Sequence, residues 1–331
     1  MKTRRDFLTR SGMATAGVWL SRGSLLAQAA QAPAANPNPP NANPAVQPNP
    51  DLAQQLRTAS ATEKIKTTKL TDTIFLLQGV GGNVVCQIGP DGKVVIDSQI
   101  STGTPHLLDA LSKLDEHHLK LLINTHWHFD HTDGNAALHL EGAFIIAQDN
   151  TRVRLLKPQL MQVYEAHFPA APDAGLPQET FAETESLWVN NDQADLVHTP
   201  EAHTDSDIFV RFYRGNVIHT GDLWFNGMYP LIDTGSGGTI NGMIQGVDKV
   251  LQLADDRTKI VPGHGPLGDK ATLQRYREML VTVADRVEKL KASGKTVEQA
   301  VAAAPTADLD AVWAKGTLKA NTFVALVYES L

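Results

Sequence analysis

Cysteine is nearly absent from this sequence: among 331 residues only Cys86 occurs. A lone cysteine excludes an intrachain disulfide and any thiolate-rich structural metal site. Long apolar runs are missing too. No stretch of eighteen or more apolar residues occurs, so nothing reads as a membrane-spanning helix and no stable membrane insertion is expected. Basic charge is scarce, with 29 lysines and arginines against 36 acidic residues and a formal net charge of −7. An acidic chain repels phosphate backbones, which argues against nucleic acid as a partner. What remains is ordinary globular composition, 42% hydrophobic and 20% charged, in a chain long enough to bury a full core.

Residues 1–29 are expected to stand outside the fold. Thr3-Arg4-Arg5-Asp6-Phe7-Leu8 sets paired arginines before an apolar pair, a mildly hydrophobic run follows from Gly12 to Leu26, and Ala27-Gln28-Ala29 fits a cleavage site. The segment resembles a twin-arginine export signal, which implies the twin-arginine machinery as a partner and a periplasmic or secreted address. It carries Lys2, Arg4, Arg5, Arg10 and Arg22 against Asp6, so its removal takes the net charge from −7 to −11. Residues 30–50 are rich in Ala, Asn and Pro and read as a disordered spacer. The ordered domain is expected over 51–331, opening with a short helix through Leu56.

Short β-rich runs come next, at Lys64–Leu70, Ile74–Leu77, Asn83–Ile88 and Lys93–Ile96, with Gly89-Pro90-Asp91-Gly92 as a hairpin connection. The pattern then alternates: helical spacing at Thr104–Leu114, Asp133–Leu140 and Asn150–Leu156, strands at Lys120–Ile123 and Ala143–Ala147. A second strand series follows at Leu187–Asn190, Gln193–His198, Ile208–Tyr213, Val217–His219 and Lys259–Val261, with a helix at Ile240–Leu253 before the last. Two β-rich halves, each followed by helices, suggest two stacked sheets with helices outside. Leu273, Tyr276, Leu280, Val283, Val287 and Leu290 line one face of a long helix ending at Gly294, and Thr296-Val297-Glu298-Gln299 fits a capping box. This tail, with the helical run Phe323–Leu331, reads as packing rather than chemistry.

The chemistry concentrates in Asn124-Thr125-His126-Trp127-His128-Phe129-Asp130-His131. It leaves the apolar strand Leu121–Ile123 and precedes a helix. In an extended exit His126 and His128 point the same way, because side chains alternate. Three imidazoles and a carboxylate within six residues suit zinc, which takes nitrogen and oxygen ligands.

The run resembles the H-x-H-x-D-H signature of the metallo-β-lactamase superfamily, over about residues 64–268. The superfamily's other ligands have counterparts in order: His203 in Pro200-Glu201-Ala202-His203-Thr204, Asp222 in Thr220-Gly221-Asp222, and His264 in Pro262-Gly263-His264-Gly265. Each follows a strand, where function is mounted on a rigid scaffold. The resemblance implies an α/β fold, an αββα four-layer sandwich of two mixed sheets flanked by helices. It implies two Zn2+ ions, one held by His126, His128 and His203, the other by Asp130, His131 and His264, with Asp222 bridging. Two dications about 3.5–4 Å apart need such an anionic bridge to offset their repulsion. Asp130 and Asp222 are then the catalytic carboxylates, and hydroxide derived from water attacks an acyl carbonyl. Asp97, ending the strand Val94–Ile96, resembles the buried carboxylate that orients a metal-bound histidine. His219 stands close enough to Asp222 to support it, whereas His106, His117, His118, His139, His167 and His198 have no ligand spacing.

Around the centre, Gly79-Val80-Gly81-Gly82-Asn83 is expected as a flexible loop and the Pro169–Pro177 stretch as a lid. Trp127, Phe129 and the aromatics of Leu223–Tyr229 fit a site wall as well as a core. An exported address favours a small-molecule substrate with a lactam or lactone ring. Asp222 departs from the dedicated lactamases, which carry Cys or Ser there, and resembles the glyoxalase II branch of thioester hydrolases. From another class, a non-catalytic periplasmic zinc-binding protein would explain export but leave seven ligands without a purpose.

Overall fold

The computed structural model describes residues 51–331; the signal and spacer segments of the sequence reading lie outside the described residues. Two sheets form the frame. The first takes β1 (Lys66–Lys69), β2 (Ile74–Gln78), β3 (Val84–Gln87), β4 (Lys93–Ile96), β5 (Leu119–Ile123) and β6 (Phe144–Gln148) in sequence order. Its first four strands are antiparallel neighbours, and from β4 onward the pairing is parallel. A small separate hairpin, β7 (Gln159–Met161) with β8 (Ala166–Phe168), follows; β9 (Glu179–Phe181) then joins the first sheet beside β6. The second sheet runs β10 (Thr184–Val189), β11 (Asp192–His198), β12 (Ile208–Phe212), β13 (Val217–His219) and β14 (Lys259–Val261), antiparallel except for its last pair.

Alternation along the strands decides the layers. Leu76, Val85, Val94 and Ile96 face inward and pack with Leu196, Val210, Phe212 and Val217 of the second sheet. Their neighbours Leu77, Val84, Cys86 and Val95 face the other way, onto Leu107 and Leu111 of the helix Thr104–Ser112 and Leu138 of the helix Asn135–Leu140. Cys86 is therefore a core residue whose thiol is pushed up by burial, not a nucleophile. The outer face of the second sheet, with Phe209, Ile218 and Ile260, is covered by Ile240–Leu253, Lys270–Ala292 and Ala320–Ser330. The result is the helix–sheet–sheet–helix order that the resemblance implies. Thr239 and Asp269 cap two of these helices with their side chains, and the Thr296–Gln299 capping box is formed.

Three short strands escape the sequence reading. β7, β8 and β9 have three residues each and lack the β-branched pairs that mark the equally short β13 and β14. Among the described residues, no helix is long and apolar enough to cross a membrane.

Candidate metal centre

Five strand exits converge at one edge of the two sheets. Asp97 follows β4, the Asn124–His131 run follows β5, His203 lies between β11 and β12, Asp222 follows β13 and His264 follows β14. All seven side chains singled out in the sequence meet there, in two groups that could each hold a metal ion. In His126, His128, His203 and Asp222, one ligand atom from each lies within 4.8 Å of the others; the same holds for Asp130, His131 and His264. Asp222 stands between the groups: its Oδ1 is 3.1 Å from His131 Nε2, and its Oδ2 is 3.4 Å from Nε2 of both His203 and His264.

Four of the five imidazoles are aimed by a partner on the far nitrogen. Leu231 O can only accept, so His203 donates from Nδ1 (2.8 Å) and presents a lone pair at Nε2. His131 donates from Nδ1 to Asp97 Oδ2 at 2.7 Å. The Thr125 hydroxyl gives its hydrogen to that same Asp97 (2.8 Å), so its oxygen accepts from His126 Nδ1 at 3.0 Å and Nε2 is left free. His128 is turned the other way: Nε2 faces Asp233 Oδ2 at 3.1 Å, and Nδ1 lies 2.9 Å from His203 Nε2. Asp97 thus fills the orienting role expected of it, from a left-handed backbone position (φ 68°) that brings its carboxylate under the loop. His219 is buried, donates from Nε2 to Asn83 O (3.0 Å) and accepts at Nδ1 from Gly221 N–H (3.1 Å), fixing the turn that carries Asp222.

The donor set fits a cationic occupant. His126 Nε2 is buried without a hydrogen-bond partner among the described residues. The two groups differ in how they hold protons. Burial disfavours a charged His131, but Asp222, Asp97 and Asp130 outweigh it and hold this imidazole well above the ordinary range. Burial also opposes charge on His264, yet Asp222 and Asp130 raise it to about 9. Asp130 would be raised by burial; His131 and His264 bring it down to about 2. In the other group, burial dominates: His126 is pushed well below its usual value and His203 down to about 4, leaving neutral ligands.

The sequence profile of the Metallo-beta-lactamase superfamily matches residues 78–264, more than half of the chain. The chain belongs to the metallo-beta-lactamase superfamily. A curated relative, the hydroxyacylglutathione hydrolase of Pelagibacter ubique (strain HTCC1062), is 29% identical over 150 residues, or 44% of this chain and 52% of the relative. The chain thus matches that relative over about half of the relative's length. Among solved structures, a metallo-beta-lactamase from Pontibacter korlensis has a TM-score of 0.54 at 19% identity, covering 66% of this chain and 99% of that one. DIM-1 metallo-beta-lactamase has 0.52 at 20% identity over 66% and 98% of the two chains. A double mutant of the sec-alkyl sulfatase PisA1 has 0.62 at 15% identity over 84% and 51%. These three share the fold.

Around the centre of this superfamily member, three expectations change. The Gly79–Asn83 loop is not free: Gly82 N–H donates to Asp130 O, Asn83 N–H to Gly263 O, and the Asn83 amide to Pro262 O and Gly265 O. Its glycines serve close approach rather than motion. Residues 169–172 line a cavity on the Trp127–Phe129 side that none of the seven residues touches, so this part of the Pro-rich stretch does not close over the centre. Of the aromatics, Trp127, Trp224 and Tyr229 are core, whereas Phe225 stacks on His264 with ring centroids 5.2 Å apart.

Asp233 was missed by the sequence reading. It lies in an irregular loop, 105 residues from His128, and no local pattern ties it to the motif. Its side chain holds His128 while its N–H donates to His203 O at 2.9 Å, so one residue braces two of the seven. Asp233→Ala is expected to weaken the tighter step of a zinc titration by roughly 10–100-fold, the usual effect of losing an outer carboxylate. Unchanged affinity in a competition titration would remove it from the metal centre.

Proposed function

We propose that this chain is an exported binuclear zinc hydrolase that opens an acyl bond, with a lactone or lactam ring as its first substrate class. The observation that carries the reading is the seating of the Asp222 carboxylate between two groups of aimed histidines. His126, His128 and His203 would hold one zinc, Asp130, His131 and His264 the other, and Asp222 would bridge them. Bound zinc supplies Lewis-acid activation of water and of the acyl carbonyl at neutral pH. The chain's own residues do the positioning. Asp130, partly open to solvent and kept ionised, accepts a hydrogen bond from the attacking water and orients it. Phe225 stacks on the His264 ring and steadies it. A second reading, thioester hydrolysis, is favoured by the bridging carboxylate and by the name of the curated relative.

The zinc-loaded protein is to be assayed on an acyl-homoserine lactone, a chromogenic cephalosporin, a glutathione thioester and a phosphodiester. At least one acyl substrate should turn over, with loss on chelation, while the phosphodiester stays intact. No turnover on any acyl bond with two zinc ions bound would favour the non-catalytic zinc protein instead. Export is proposed from the arginine pair: Arg4→Lys with Arg5→Lys should retain the chain in the cytoplasm by fractionation. Unchanged export in that variant would overturn the signal assignment.

A further inference from the structure

Trp127 and Phe129 each turn one side to a space that none of the seven site residues lines, while the Trp127 ring meets His128 edge-on at 4.5 Å. Behind them lies a cavity of about 100 Å3, roofed by Pro169–Pro172. Its floor is apolar and aromatic: Phe129 stacks on Phe168 with centroids 4.8 Å apart, beside Leu155. Three of its polar side chains are cations, Arg57, Arg154 and Lys157. Arg57 is paired with Asp133 (3.2 Å) and also lies over the Phe129 ring at 5.6 Å. Arg154 is paired with Asp205 through two bonds of 2.7 Å and lies 6.0 Å from the Trp127 ring centre. Lys157 has no carboxylate partner among the described residues, so the wall carries one cation more than its pairs neutralise. Trp127 contributes ring surface to this wall and is itself 2% exposed.

From this cavity we infer a second binding site, separate from the metal centre, for a short-chain carboxylate. An unpaired lysine suits a monoanion, and stacked aromatic rings suit a short apolar body. The volume sets the size. A cavity of 150 Å3 takes benzene, so this one encloses about four heavy atoms, and butyrate with its six would leave its carboxylate end at the rim beside Lys157. The inference does not depend on the acyl-hydrolase reading, although a hydrolase of acyl bonds releases carboxylates of this class.

Butyrate is to be titrated calorimetrically into the zinc-loaded full chain, with butyramide as the uncharged match. Butyrate should bind with a Kd of about 1 mM, as expected for a ligand of this size, and butyramide at least tenfold more weakly. Lys157→Glu, at an exposed position, and Ala171→Leu, which fills the cavity from its rim, should each weaken butyrate at least tenfold with circular dichroism unchanged. No binding by the wild type at 20 mM butyrate would overturn the site. So would equal binding by Lys157→Glu, which would place butyrate elsewhere, the zinc ions included. Loss in Lys157→Glu without loss in Ala171→Leu would reduce the contact to a surface lysine and overturn the cavity as the site.

Discussion

Asp222→Asn is expected to lower affinity for at least one zinc ion by roughly a hundredfold or more, and to lower turnover with it. The substitution keeps the size of the side chain and removes its charge. In the wild type, burial would push Asp222 up, but the imidazoles of His264, His131 and His126 hold it well below the carboxylate range. It is thus a buried anion at 3% exposure with cationic partners at 3.1 and 3.4 Å. Deleting one member of such a buried arrangement costs about 3–5 kcal/mol, and each 1.4 kcal/mol is about tenfold. Asp222→Cys is the more discriminating change. Thiolate binds zinc well, but its longer bond disfavours a compact bridge, so the variant should keep zinc mainly in one group. Lactone and thioester activity should then fall more than lactam activity. Wild-type zinc content and rates in Asp222→Asn would show that Asp222 is no ligand.

Gly82→Ala carries the second large effect, and steric contact alone drives it. A Cβ at residue 82 would lie 2.1 Å from His131 Cε1 and 2.5 Å from its Nε2. Neither side can retreat. The loop is tied through Gly82 N–H to Asp130 O (3.1 Å) and Asn83 N–H to Gly263 O (2.7 Å), while Asp97 holds the imidazole at 2.7 Å. Overpacking of this kind costs about 1–3 kcal/mol in an ordinary core. Here the displaced group is a ring of the proposed second zinc group, so the variant is expected to bind one zinc ion fewer. A full complement of zinc in Gly82→Ala, measured after gel filtration, would show that the ring accommodates the methyl group.

These two residues also show what a sequence can reveal. His126, His128, Asp130 and His131 are close in the chain, and a strand exit forces them together, so their pattern is local and legible. His203, Asp222 and His264 are legible because each follows a strand in the superfamily's order. Asp97 could be read for the same reason. The supports of the other rings were not legible. Leu231 contributes only its carbonyl, Thr125 acts through a relay with Asp97, and Asp233 approaches His128 from a loop without periodicity. Gly82 was read for its freedom, whereas its function is the absence of a side chain. β7, β8 and β9 stayed hidden because tertiary pairing, not propensity, makes them. Trp127 and Phe129 were read as fitting a site wall as well as a core; which cavity they reach depends on a hairpin thirty residues on.

The central claim is a two-metal centre, and metal stoichiometry tests it most directly. Protein saturated with zinc, passed through gel filtration and measured by inductively coupled plasma mass spectrometry against amino-acid analysis, should carry two zinc ions per chain. A single ion per chain at saturation would contradict the account.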